Sequence, residues 1–412
     1  MVESGGMERG LGVDGILADR IRAELQRESV RRAPPNSFRP LPEIPGGRYT
    51  RQDFFDLEVE GVFRRSWLLA AHVSEFPEAG SYKRFERLLK APIVIIRGRD
   101  GVIRAFYNTC RHRGAPVVKD AQGKCNIMRC QFHSWGYDFD GRLVNVPDEY
   151  EFPELDKSAR GLLPLRCEVL KGVVFINEDL DAPPLADWMG SVADEWSATS
   201  MGDWTVDYRW SRVMNCNWKC VVDAFQEVYH INTVHPKTVG LALDHTSAAV
   251  GLMPNGHSRL CVSRNGAPPD PAEDIYVSTS VSHTLWPNLI GPRGNGNVKF
   301  IVVWPLAPGQ CEIEVTGLGL PWGDGPLPPD RVAANLAFDA VLEEDMVNLQ
   351  PIQASLDSTA FSGMMLGYQE RRIYWAHEVI DEMIGRDRIP PGLAVEPRLA
   401  GALESEPGIT LE

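Results

Sequence analysis

Four residues in one stretch carry ligand chemistry. Cys110 and His112 stand one residue apart, Cys130 and His133 stand two apart, and seventeen residues separate the pairs. Each pair offers one thiolate and one imidazole on its own short loop. Two cysteines with two histidines suit a [2Fe-2S] centre in which sulfur holds one iron and nitrogen the other. Zinc accepts the same four donors in a tetrahedron, but zinc fingers group Cys with Cys and His with His. Here each loop carries one of each, so two facing loops can give Cys110 and Cys130 to one iron and His112 and His133 to the other. Gly114 and Pro116 after the first pair, and Gly136 after the second, suit tight loops whose amides approach the cluster sulfurs.

A second set lies in NWKCVVDAFQEVYHINTVHP, Asn217 to Pro236. Between Val221 and Ile231 apolar residues recur at helical spacing without Gly or Pro, which predicts a helix with Glu227 and His230 on one face. His235 follows five residues after His230 and Pro236 ends the run, so two imidazoles converge on a helix and the turn after it. That arrangement suits two ligands of one metal ion.

CRHRGAPV and CQFHSWGYDFDGRL resemble the two cluster loops of the Rieske non-haem iron oxygenases, the aromatic-ring-hydroxylating dioxygenases, in their large or alpha subunit. That family's second loop reads closer to CxYHGWTYDLDGRL, so Phe132, Ser134 and Gly136 depart from it, and none of the three is a ligand. The Asn217 to Pro236 stretch resembles the family's second motif, which runs from NWK through an acid to YH, four residues and His. The resemblance implies that His230 and His235 bind a mononuclear Fe(II), completed by an acid from a C-terminal helix into a facial triad open to dioxygen and water. The matching acidic run is FDAVLEEDMVNLQPIQASL, with Asp345 the expected third ligand. Glu344 is the alternative, because adjacent helix residues point about 100° apart and one of them faces the iron. Most of the family has Asp where Glu227 stands, and that acid links the mononuclear site to a cluster histidine of a neighbouring subunit. Glu227 would then accept hydrogen bonds from His230 and from His133 of an adjacent chain, with Asp223 as the alternative bridge. Members acting on quaternary amines also carry Glu there, which keeps that substrate class open.

These residues must be positioned by folded domains, and the chain is long enough to build them. It has 412 residues, 43% of them hydrophobic, which allows two or three domains with real cores. From Ile16 to Arg32 the pattern is helical, and Pro34 to Pro45 reads as an extended arm. FFDLEVEGVFRRSWLLAAH reads as a helix feeding a strand, and SYKRFERLL, PIVIIRG and GVIRAFYNT as short strands of a small antiparallel β domain closing near VVFINEDLDAPP. SRLCVSRN, DIYVSTSV, VKFIVVWPL and CEIEVTGLGL read as further strands, followed by helices from Asp330 to Leu356 and from Leu366 to Gly385. The expected organisation is an N-terminal helix and arm over residues 1–47, a Rieske domain over 48–182 and a catalytic domain over 183–412. The fold class is α+β; the resemblance implies a helix-grip catalytic domain, a curved antiparallel sheet around a long helix. Phe225, Met253, Trp286, Leu289, Phe300 and Phe338 are candidate pocket residues, each more readily explained as core.

A net charge of −14 argues against nucleic acid as a partner. No run of about twenty apolar residues could span a membrane, and MVESGGMERGLGVDG has no apolar core of a signal peptide, so the expected location is the cytoplasm. Cys125, Cys167, Cys216, Cys220, Cys261 and Cys311 read as free thiols. No GxGxxG opens a helix after a strand, so NAD(P)H acts indirectly, through a reductase. Arg111, Arg113, Lys119, Lys124 and Arg129 offer a docking face for an acidic ferredoxin or reductase. The resemblance thus implies a terminal oxygenase with one [2Fe-2S] cluster and one Fe(II) per chain, working as a trimer with or without a small β subunit. Electrons would pass from His133 through Glu227 to His230 in a neighbouring copy, and O2 would hydroxylate an apolar or aromatic substrate, ring dihydroxylation being favoured. The alternatives are a monooxygenase or demethylase acting on an aryl ether or quaternary amine, and an electron-transfer Rieske protein without oxygenase activity.

Overall fold

In a computed structural model, residues 15–87, 92–197, 199–265, 269–294, 297–323 and 325–403 are described. The first fourteen residues and the Leu88–Leu89 end of SYKRFERLL lie outside them. The chain divides into two compact units: a smaller one of Val59–Leu185 and Met201–Val206, and a larger one of Met1–Glu58, Ala186–Ser200 and Asp207–Glu412.

The smaller unit is built from short strands, as its turn-punctuated alternation requires. These are β1 (Leu68–His72), β2 (Ser81–Phe85), β3 (Ile93–Arg97), β4 (Ile103–Tyr107), β5 (Gln122–Lys124), β6 (Met128–Arg129), β7 (Gly136–Tyr137), β8 (Leu143–Asn145), β9 (Pro164–Leu170) and β10 (Val173–Asn177). Among the described residues they form a sheet of order β1-β10-β9-β4-β3-β2-β5 and a small sheet β6-β7-β8. The paired strands run antiparallel. Val94 and Ile96 of β3, Phe106 of β4, Met128, Tyr137 and Leu143 share one core with Cys110 and Cys130. The two cysteines are therefore anchored by the apolar burial that holds the unit together.

In the larger unit α1 (Gly15–Val30) lays Ala18, Ile21 and Leu25 on Ala249, Cys261 and Val281. The sheet comprises β11 (Thr205–Met214), β12 (Leu243–Leu252), β13 (Ser258–Arg264), β14 (Thr279–Leu285), β15 (Leu289–Gly294), β16 (Asn297–Ala307) and β17 (Gln310–Gly319). Its order is β11-β17-β16-β15-β14-β13-β12, a meander with β11 added beside the last strand. DIYVSTSV does not form one strand: Ile275–Ser278 is a helical turn, and Thr279 Oγ1 donates to the Ile275 carbonyl at 2.6 Å where β14 begins. Further helices include α2 (Gln52–Gly61), α3 (Trp218–Ala224), α4 (Ile231–Val234), α5 (Pro329–Leu356) and α6 (Arg371–Ile384). The predicted start of the last helix at Leu366 shifts to Arg371. Helix α5 buries Leu342, Asp345, Met346, Leu349 and Gln353 on one face. Sheet side chains grip it: Trp210 Nε1 reaches Asp339 at 2.9 Å, and Arg212 pairs with Glu343 at 2.6 Å. Among the described residues no helix is long and apolar enough to cross a membrane.

Helix α3 is fixed by buried polar groups. Lys219 Nζ pairs with Glu58 of α2 at 2.7 Å, and the Tyr49 hydroxyl donates to Asp223 at 2.6 Å. Arg48 Nε can only donate, so the His377 Nδ1 it meets at 2.8 Å is an acceptor. His377 Nε2 then carries the hydrogen and donates to Tyr49, 2.9 Å away, which passes its own proton towards Asp223. Burial pushes the Asp223 carboxyl up to about 7, and the bond from Tyr49 and the charge of Lys219 offset only part of that. A buried acid whose folded value is raised holds its proton when the unfolded chain has lost it, so its contribution falls as pH rises from about 4 to about 7. Denaturant titrations at pH 5 and pH 7.5 should show this loss in the wild type and a smaller one in Asp223→Asn, whose amide oxygen still accepts from Tyr49.

Candidate metal centres

The two cluster loops repeat one hydrogen-bond pattern. Cys110 N–H donates to the Ala115 carbonyl at 2.8 Å and Gly114 N–H to the Cys110 carbonyl at 3.0 Å. Cys130 N–H donates to the Trp135 carbonyl at 2.9 Å and Ser134 N–H to the Cys130 carbonyl at 3.0 Å. The equivalent positions Gly114 and Ser134 are both left-handed, with φ of 81° and 59°. The turn residue of the second loop is therefore Ser134. Gly136, expected to serve that loop, sits in β7, where a Cβ would come within 2.7 Å of Ile127.

Both thiols are buried, whereas His112 is half-buried and His133 exposed. The two imidazole centroids lie 4.7 Å apart, and His112 stacks on Trp135 at 4.7 Å with the planes 9° apart. Burial raises the Cys110 thiol above its ordinary value. The Tyr137 hydroxyl accepts from Arg111 N–H at 2.9 Å and lies 3.3 Å from Cys110 Sγ, so its own proton is free to point at the sulfur. Burial, then the neighbouring His133 and Arg113, lower His112, which favours the neutral ligand form of its ring. Trp135 and Tyr137 were not among the expected site residues, although both lie inside the second cluster motif.

In the larger unit His230, His235 and Asp345 offer ligand atoms that all lie within 4.8 Å of one another. Asp345 Oδ1 is 3.5 Å from His230 Nε2 and 3.0 Å from His235 Nε2, and the ring centroids are 5.3 Å apart. His235 and Asp345 are buried, while His230 is partly open. The other ring nitrogens meet two further carboxylates: His230 Nδ1 binds Glu227 Oε1, and His235 Nδ1 lies 2.7 Å from Glu344 Oε2. Burial acts to lower His235, but the bonds to Asp345 and Glu344 outweigh it and leave it raised.

The helix predicted from Val221 to Ile231 is broken. Helix α3 ends with Phe225 as its C-cap, and α4 begins at Ile231. The cause is Glu227, whose Oε2 takes the backbone amides of Tyr229 and His230 as an N-capping side chain does, a local bond that competes with helix continuation. The same carboxylate meets the His230 ring, so Glu227 shapes the turn and orients the ring together. Asp223, the alternative bridge, is buried against Tyr49.

Met253, Trp286, Leu289 and Phe300 are 1%, 1%, 2% and 1% exposed, which leaves them no open face for a substrate. Trp286 packs on Trp218 and Phe300 on Trp196, so these four are core; Phe225 and Phe338 remain half-buried. Of the basic residues near the cluster, Lys124 pairs with Glu78 at 2.6 Å and Arg111 donates to the Gly161 carbonyl at 3.3 Å. Arg113 lies 5.1 Å over the ring of Phe132, which is 57% exposed, and Lys119 and Arg129 are exposed.

Residues 66–156 match the family model of the Rieske [2Fe-2S] domain, and residues 201–386 that of the catalytic domain of the ring hydroxylating alpha subunit. The biphenyl 2,3-dioxygenase alpha subunit of Rhodococcus jostii (strain RHA1) is 33% identical over 214 residues, 50% of this chain and 44% of that protein. The carnitine monooxygenase oxygenase subunit of Escherichia coli (strain K12) is 34% identical over 195 residues, 47% of this chain and 52% of that protein. The chain thus spans about half the length of these relatives. Its fold is similar to that of a quaternary ammonium Rieske monooxygenase, with a TM-score of 0.72 at 24% identity over 83% of this chain and 95% of the other. Naphthalene 1,2-dioxygenase from Rhodococcus sp. gives 0.67 at 20% over 89% and 98%. The chain belongs to the Rieske-type ring-hydroxylating oxygenase alpha subunits. That family's two domains imply a [2Fe-2S] cluster and a mononuclear iron, and both donor sets fit: paired buried thiols beside paired imidazoles, and two imidazoles facing one carboxylate.

Ser134→Gly removes a left-handed side-chain penalty of about 1 kcal/mol and should raise the unfolding midpoint of the cluster-loaded protein. Gly114→Ser should lower it by a similar amount in the same denaturant titration.

Proposed function

We propose that the chain is the terminal oxygenase component of a Rieske non-haem iron oxygenase system, hydroxylating an apolar or aromatic substrate, with ring dihydroxylation as the first reading. The single observation that carries this is the presence in one chain of two donor sets of different chemistry: Cys110, Cys130, His112 and His133 in one unit, His230, His235 and Asp345 in the other. An electron-transfer protein would leave the second set without a use. Monooxygenation of a quaternary amine is the second reading, favoured by Glu227 and by the likeness to the carnitine monooxygenase subunit.

In this reading Cys110, Cys130, His112 and His133 would hold the cluster, the thiolates one iron and the imidazoles the other, and His230, His235 and Asp345 would hold the mononuclear Fe(II). When bound, the cluster would supply single electrons and the mononuclear iron the capacity to activate dioxygen. The protein supplies placement. Glu227 and Glu344 hold the Nδ1 atoms of His230 and His235, which leaves both Nε2 atoms facing Asp345. Tyr137 keeps a hydroxyl at Cys110, and Trp135 holds the plane of His112 by stacking. His133 stands at the surface and can reach a second protein. Glu227 Oε1 keeps a lone pair beyond the one facing His230, enough to meet His133 of a neighbouring copy in a ring-like trimer. A ferredoxin or reductase would dock where Arg113, Lys119 and Arg129 are exposed.

Oxygen uptake with a surrogate reductase, screened over aromatic acids, methyl ethers and quaternary amines, tests the activity. Isotope-labelled dioxygen then separates incorporation of both atoms from incorporation of one. His235→Ala should lose turnover while keeping the cluster's colour. Glu227→Gln should keep both metals yet lower turnover by about 10–100-fold; an unchanged rate would remove Glu227 from the electron path.

A further inference from the structure

Glu344 and Asp345 are neighbours in α5, yet both meet the same imidazole. Asp345 Oδ1 lies 3.0 Å from His235 Nε2, and Glu344 Oε2 lies 2.7 Å from His235 Nδ1. The two side chains bracket the ring from opposite edges. Glu344 is itself held: Thr238 Oγ1 donates to the same Oε2 at 2.5 Å, and Asn348 Nδ2 donates to the Glu344 carbonyl at 2.9 Å. His235 is 2% exposed, so its Nδ1–H has little recourse to water.

We propose that Glu344, braced by Thr238, is a positioning residue that fixes His235 as the Nδ1–H tautomer and aims its Nε2 at the mononuclear metal. This rests on the oxygenase reading above and deepens it by giving the second carboxylate of the acidic pair a distinct duty. A neutral imidazole has one N–H and one lone pair, and only the lone pair binds a metal. A carboxylate that captures the N–H at Nδ1 places the lone pair at Nε2, where Asp345 already stands. Glu227 does the same for His230, but its amide bonds show that it also shapes a turn. Glu344 sits in a regular helix, so its removal leaves the backbone in place and isolates the effect on the ring.

The test is Fe(II) affinity by chelator competition on the cluster-loaded protein, with the Co(II)-substituted site read by its visible absorption. Glu344→Ala should weaken Fe(II) binding by about 10–100-fold and alter the Co(II) band shape, while the cluster spectrum and the unfolding midpoint without added metal stay unchanged. Glu344→Gln should recover most of the affinity, because its amide oxygen still accepts from Nδ1–H. Thr238→Val, which keeps the carboxylate and removes its brace, should cost a few-fold. Wild-type affinity in both Glu344→Ala and Thr238→Val overturns the proposal. So does a Glu344→Gln protein as metal-free as Asp345→Ala, which would make Glu344 a direct ligand. If wild-type protein binds no Fe(II) outside the cluster, the oxygenase reading itself fails, a result distinct from loss of the clamp alone.

Discussion

Two imidazoles from one short segment must meet a carboxylate carried by a helix far along the chain, with one ligand-type atom of each within 4.8 Å of the others, and the larger unit is organised around that demand. The imidazoles lie at either end of a single helical turn, α4, and the carboxylate lies on the buried face of α5. Neither element is long-range rigid by itself, since an isolated four-residue turn has no helical stability of its own. Position comes from packing and buried bonds. Val228 and Ile231 seat the turn on Ala248, Leu260 and Val262 of the sheet, and the groups around Asp223 lock α3 ahead of it. On the other side Asp339 and Glu343 of α5 are held from β11. Breaking a buried pair such as Lys219–Glu58 would leave an uncompensated charge worth about 3–5 kcal/mol, far more than a surface pair contributes.

The smaller unit solves a different problem. A cluster needs its sulfur side dry and its nitrogen side within reach of a partner, and the fold divides the four donors that way. Cys110 and Cys130 belong to the core, whereas His112 is half-buried and His133 stands in solvent. Because the loops share one hydrogen-bond pattern, each cysteine lies four residues before a left-handed residue, with His112 two before Gly114 and His133 one before Ser134. That repetition lets two short, separate motifs face each other.

Much of this was legible in the sequence because it is local. The spacing of Cys110, His112, Cys130 and His133, and of His230 and His235, is a property of single loops and turns. Strand alternation and the 28-residue α5 were legible for the same reason. What the sequence hid depends on partners distant in the chain or on side chains that bond to the backbone. Glu227 looks like a helix residue but caps a turn and breaks the helix. Glu344 looks like a rival ligand, and its bond to His235 exists only once the two elements meet. Ser134 gives no outward sign of a left-handed backbone, and Met253, Trp286, Leu289 and Phe300 have the composition of a pocket and the burial of a core.

The proposed chemistry requires one chain to hold iron in two chemically different environments. Mössbauer spectroscopy of protein grown on enriched iron, with total metal analysis of the same sample, tests it most directly. The expected result is about three irons per chain, two in a sulfur-bridged pair with unequal ligation and one a high-spin ferrous ion of nitrogen and oxygen ligation. A single iron environment, or zinc in place of iron at either set, would contradict it.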